Sequence, residues 1–363
     1  MKNHEDCGRG GFSLVECLAL VLVMSMIGMT AGPTLFSMKQ SVHREMSASN
    51  LRSIGQGGGL YANANQGRLF SYSWRAGESY VMPNGQTVVE PGDLAAATRQ
   101  DQEILMRLTG RISGAFKILE MQSRVPHRRY NHVVLADYLG SGLQSGLFID
   151  PADSNLLSWN ANPLEFAHAK NTLPYGMGYP EDGYDDEGGW DHRSILQRWG
   201  FGSSYSLTVS AWQADFPTPR YYPLARTPHL FAGGSSAGRN LSIGRQLSEV
   251  TLPGNKVWMF EEFDREQVGE PYFGYDHARA EKLMFDGSVN SWVSGDSRPA
   301  GVPEATGRLF VWLQKYVPLD TFPVPLGGLG DETLVHQRYR WTYQGLHGVD
   351  YAPGIPDREP GRR

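Results

Sequence analysis

The sequence predicts an α+β protein in which a long N-terminal transmembrane α-helix packs on an antiparallel β-sheet globular domain with long loops. Three observations predict it. An uncharged run extends from Cys17 to Met38, and at the helical rise it reaches roughly 33 Å, against about 30 Å for a bilayer core. Short β-prone runs flank Asn84-Gly85 and Asp286-Gly287, the dipeptides that close tight hairpins. Gly 43 and Pro 22 in 363 residues, with 11% aromatics, describe a loop-rich β-containing domain better than a helical bundle.

The leader before the uncharged run is short and polar, with Lys2, Glu5, Asp6 and Arg9, so the chain starts on the cytoplasmic side. A secretory signal places its small-residue cleavage site after the apolar segment. Here Gly10-Gly11 comes before it, and cutting there would leave the apolar helix as the new N-terminus. Glu16 alone breaks the apolar pattern. A carboxylate in lipid costs about 2.5–3.5 kcal/mol at a helix centre and less near the interface, so it needs a partner. The α-ammonium of a cleaved Phe12 would serve, within one helix or between staggered neighbours; a Glu snorkelling at the helix entry is the plainer alternative.

Val42, Met46, Leu51 and Ile54 continue a helical period beyond the run. One helix is expected from about Ser13 to Ile54, kinked at Gly28 and Gly32-Pro33 and ended by Gly57-Gly58-Gly59. A hairpin pairs Ser79–Met82 with Gln86–Val89. Leu94–Leu119 is expected as a helix in two pieces, Asn131–Leu139 as a strand or short helix, and Leu147–Ile149 as a strand stopping at Asp150-Pro151. Asp150 to Arg193 reads mostly as loop. Strands follow at Tyr205–Val209 and Lys256–Phe260, and a last hairpin joins Lys282–Phe285 to Ser288–Trp292. Beyond Val317 the chain reads as a surface-laid extension.

Gly11-Phe12-Ser13-Leu14-Val15-Glu16 resembles the type IV prepilin signal. The resemblance implies Gly11 as the residue after which a prepilin peptidase/N-methyltransferase cuts, Phe12 as the methylated N-terminus, and Glu16 as the glutamate used in fibre assembly. Pro33 falls where many pilins have a helix kink. Asn50-Leu51-x-x-Ile54-Gly55, then Tyr61 and Asn65-Gln66-Gly67, resembles the post-helix motif of prepilin-type proteins abundant in planctomycete-like bacteria. Their Cys-Pro-x-Asp block is met by Asp150-Pro151-Ala152-Asp153, with Asp150 where the Cys would be. Ser248-Glu249-Val250-x-x-Pro253, the strand to Phe260 and Glu261-Glu262 match the next block. The C-terminal signature is met by His277 and Asp286-Gly287, with a gap one residue shorter than is usual there.

The residues argue against most chemistry. A net charge of −5 gives no footprint for nucleic acid. The only cysteines are Cys7 and Cys17, so the exported part has neither a disulfide nor a thiol-metal site. His277 with Asp286 could form a catalytic or metal pair, but a strand's length separates them and no third ligand is evident, so a hairpin turn with a capped strand entry is the favoured reading. The acidic loop with Asp182, Asp185, Asp186 and Glu187 invites calcium, which takes six to eight oxygens, but its spacing is not that of an EF-hand and a solvated acidic loop is the favoured reading. No other cofactor is expected. His127 and His132 beside Arg124, Arg128 and Arg129 read as an exposed basic turn; Trp159, Trp190 and Trp341 are loop residues able to stack on sugars, with core or rim packing the favoured alternative.

The expected organisation is a leader over 1–11, a pilin-like helix over 12–56 with its membrane segment at about 17–38, a periplasmic domain over 57–317 and an extension over 318–363. The expected protein is a pseudopilin-like structural subunit, not an enzyme. It would sit as a single-pass protein of the inner membrane and join other pseudopilins or pilins, through its N-terminal helix, in a type II secretion or type IV pilus-like fibre. The alternative is a membrane-tethered module exported by the same route that binds glycan or another envelope polymer.

Overall fold

The computed structural model describes residues 13–120, 130–140, 146–164, 200–211, 244–267, 269, 271–298, 301–303, 309–311, 313–316, 333–336, 338–342 and 345–351. Contacts divide the chain into two units, Met1–Glu45 and Met46–Arg363. Helix α1, Leu14–Ala64, contributes to both.

In the first unit every described residue from Ser13 to Met26 is exposed, Leu14 at 79% and Leu18 at 61%. Ser25, Ser37 and Ser41 turn their hydroxyls back onto the carbonyls of Val21, Thr34 and Ser37. The expected membrane crossing is overturned: among the described residues no helix is long and apolar enough to cross a membrane. Among the described side chains the uncharged run reaches from Cys17 to Met26, about 15 Å at the helical rise, against about 30 Å for a bilayer core. The single-pass inner-membrane placement falls with it.

In the second unit the same helix becomes one-sided. Ser47, Ala48, Leu51, Ile54, Gly58, Tyr61 and Ala62 are buried at three- and four-residue intervals, the stripe of a helix laid on a core. Gly57-Gly58-Gly59 does not stop it. A Cβ on Gly58 would lie 2.4 Å from Cη2 of Trp258, and one on Gly57 2.5 Å from Cδ2 of Leu139. These glycines let the helix approach its neighbours closely, and the turn after Ala64 ends it, with Gln66 and Gly67 at positive φ.

Strands β1 (Ser79–Val81) and β2 (Thr87–Val89) form the expected hairpin, with Gly85 at φ 82° in its turn. Helix α2, Asp93–Thr109, stops at Gly110 in the left-handed region. The expected second helical piece is absent among residues 110–120. Asn131–Leu135 is a buried 3-10 turn, and Leu147–Ile149 is turn rather than strand. His132 is buried against Phe148, ring centroids 4.4 Å apart, and not on an exposed turn. Helix α3, Ser154–Ala161, lies in the stretch expected as loop.

The main sheet is β3 (Tyr205–Leu207), β4 (Val257–Glu261), β5 (Lys282–Met284) and β6 (Val289–Asn290), antiparallel throughout and in that order. Every residue of β4 is buried, because the sheet is covered on both faces. Leu207, Met259 and Leu283 join the core with Leu51 and Ile54. Val257, Phe260 and Met284 join a second, aromatic cluster. The register shifts between Val257 and Met259. That bulge sends Trp258 and Met259 to the first core in succession.

Strands β7 (Gly301–Pro303) and β8 (Leu309–Val311) pair with each other, as do β9 (Leu313–Tyr316) and β10 (Thr333–His336). Among the described residues of the tail, Tyr339 and Tyr351 are not laid on the surface but buried in the aromatic cluster. Asp350 accepts from the Val257 N–H at 2.8 Å and stands 3.4 Å from Lys256 Nζ.

Candidate functional site

Three places carry the residues singled out above. At the first, Ser13 and Glu16 form a reciprocal cap on the first turn of α1. The Ser13 N–H and hydroxyl donate to Glu16 Oε2 at 2.8 and 3.0 Å, and the Glu16 N–H donates to Ser13 Oγ at 3.3 Å. The backbone N–H and hydroxyl of Ser13 hold the Glu16 carboxyl below its ordinary range. Ser-x-x-Glu is the sequence signature of a capping box, a signal that the apolar reading of the segment passed over. The Ser13 amide is still an amide after a cut before Phe12, so the cap survives processing. Gly11 and Phe12 lie outside the described residues, and of Pro33 the structure gives the helical backbone alone.

At the second, His277 and Asp286 are both exposed. Asp286 Oδ1 accepts from the N–H and hydroxyl of Ser288 at 2.9 and 2.6 Å. Gly287 takes φ 85°. The pair therefore does what a tight turn between β5 and β6 requires, and the His277 ring lies 5.8 Å from that of Tyr275.

The third was not read as a site from the sequence. Asp150-Pro151-Ala152-Asp153 closes a turn in which the Ala152 N–H donates to Asp150 Oδ1 at 2.7 Å. Asp153 then caps α3 by accepting from the Leu156 N–H at 3.1 Å. The turn delivers the carboxylate of Asp150 to the end of β4. There Asp150, Glu261 and Glu266 each place a carboxylate oxygen within 4.8 Å of the others, and all three are buried. Glu261 accepts from the Ser47 hydroxyl of α1 and, at 2.8 Å, from the Glu281 N–H. The Tyr205 hydroxyl lies 3.0 Å from Ser47 Oγ and accepts from Asn50 at 3.3 Å. Arg265 gives its closest contact, 2.8 Å, to Asp153 and stands 3.5 Å from Asp150 Oδ2.

Burial pushes the Asp150 carboxyl up, against the pull of Arg265. Burial pushes Glu261 up well above its ordinary range, and the charges of Asp150, Glu266 and Glu281 add to it. Two signals pointed here: an aspartate where the resemblance places a cysteine, and the pair Glu261-Glu262 directly after an apolar strand.

The acidic loop with Asp182, Asp185, Asp186 and Glu187 lies outside the described residues, as do Trp190 and the side chain of Trp341. Trp159 is buried and offers no face for a sugar. No protein-family model, no curated protein and no solved structure matches the chain.

Proposed function

We propose that the chain is a pseudopilin-like structural subunit, cut after Gly11 by a prepilin-type peptidase and assembled through α1 into a type II secretion or type IV pilus-like fibre. The observation that carries this reading is the first unit: an apolar helical segment exposed around its whole circumference, behind a Gly-Phe-Ser-Leu-Val-Glu motif. A helix apolar on every side needs cover on every side. Packing among like helices supplies it without adding a second kind of partner. Glu16 then sets the register, by pairing with the Phe12 ammonium of a neighbour.

The cap gives Glu16 a competing role, and two substitutions separate them. Glu16→Gln keeps a capping residue at the third helical position but removes the charge; Glu16→Ala removes both. Both variants are expected to be cut after Gly11, and neither to enter fibres, as read by mass spectrometry of the N-terminus and by pelleting of assembled material. Incorporation of Glu16→Gln at the parental level would reduce Glu16 to a cap.

A further inference from the structure

We infer that Asp150, Glu261 and Glu266 form a site for one hard divalent cation, which ties the Asp150 turn to the end of β4. It lies in the second unit and is independent of the fibre reading. The first ground is geometry. Oxygens bound to one calcium ion at 2.3–2.6 Å stand up to about 5 Å apart, and the three carboxylates bring oxygens within 4.8 Å of one another. The second ground is Asp150 itself. It is 0% exposed; Oδ1 takes the Ala152 N–H, while Oδ2 accepts no hydrogen bond among the described residues. With Arg265 no nearer than 3.5 Å, that buried oxygen carries the cost of desolvation without a hydrogen bond in return.

The placement of Arg265 points the same way. Among the described residues, Arg265 is the side chain that forms ion pairs with Asp150 and Asp153. Its closest contact, 2.8 Å, is to Asp153, outside the triad, and its approach to Asp150 Oδ2, 3.5 Å, is longer than a charge-assisted hydrogen bond. The donors are all oxygen, with the hydroxyls of Ser47 and Tyr205 beside them. That set suits calcium, magnesium or manganese and disfavours metals that prefer nitrogen or sulfur. Enclosure favours the ion that sheds its water most readily, and the three are told apart by titration.

The test uses the full chain, stripped with EDTA, with its melting temperature followed as CaCl2, MgCl2 or MnCl2 is added against KCl of equal ionic strength. Retained metal is measured by elemental mass spectrometry after gel filtration. Ligand that binds only the native state raises the midpoint as its concentration passes Kd. At least one of the three cations is expected to raise it by several degrees and to be retained near one ion per chain. Glu266→Gln and Asp150→Asn keep the shape of the side chains and are expected to weaken the effect at least tenfold. If one variant fails to fold, the other and the metal content of the parent still decide. A midpoint unmoved by all three cations with no metal retained would overturn the inference. So would a shift that persists in Glu266→Gln, which would place the ion elsewhere.

Discussion

Gly58 and Gly59 are neighbours on one turn of α1 and make opposite demands. A glycine within a helix costs about 1 kcal/mol relative to alanine, so Gly59→Ala, with nothing within 4 Å of its Cβ, is expected to stabilise by up to about 1 kcal/mol. At Gly58 the added methyl would meet Trp258, which is held in the core between Phe70 and Phe285 at ring separations of 5.3 and 5.1 Å. Overpacking of that kind costs about 1–3 kcal/mol, enough to reverse the sign. Urea unfolding of the two variants checks this; equal effects would mean that the helix does not sit on Trp258 as described. The glycine run looked like a helix stop because composition alone does not distinguish a glycine that frees the backbone from one that admits a neighbour.

At the scale of elements, the short 3-10 turn Leu247–Glu249 is held by a charge. Burial tends to raise the Glu249 carboxyl, but the Gln246 N–H at 2.7 Å and the Arg245 guanidinium outweigh it and leave it lowered. A carboxyl lowered by folding adds stability above its unfolded value, and loses it as pH falls through the folded one. Comparison with Glu249→Gln isolates that charge. The parent is expected to melt higher at pH 6, with the gap closing below about pH 4; a gap independent of pH would contradict the assignment.

The hairpins at Asn84-Gly85 and Asp286-Gly287 were legible, because a turn's chemistry is local. The burial of β4 on both faces was not. It depends on Tyr339 and Tyr351, which arrive from a tail whose Pro, Gly and aromatic content resembles surface chain. Asp150 was read only as a substitution within a motif, since its meeting with Glu261 and Glu266 exists only after the fold has closed.

For the molecule as a whole, the α+β class and the antiparallel pairing follow from the sequence, and the membrane crossing does not. Cys17–Met38 was judged over its whole length, whereas the uncharged side chains among the described residues run from Cys17 to Met26, about 15 Å of helix. What remains is an exposed apolar helix in one unit and a doubly covered sheet in the other, with the acid triad inside the second. On the proposed reading, other copies of the same helix cover the first. Cys17 is exposed on it, and Cys7→Ser leaves it as the sole thiol of the chain. The most direct measurement attaches a photoreactive cross-linker to Cys17 in assembled material and identifies the captured peptide by mass spectrometry. Capture of residues 14–45 from a second copy is the predicted result; a chain that stays monomeric, or is captured only by its own residues 46–351, would contradict it.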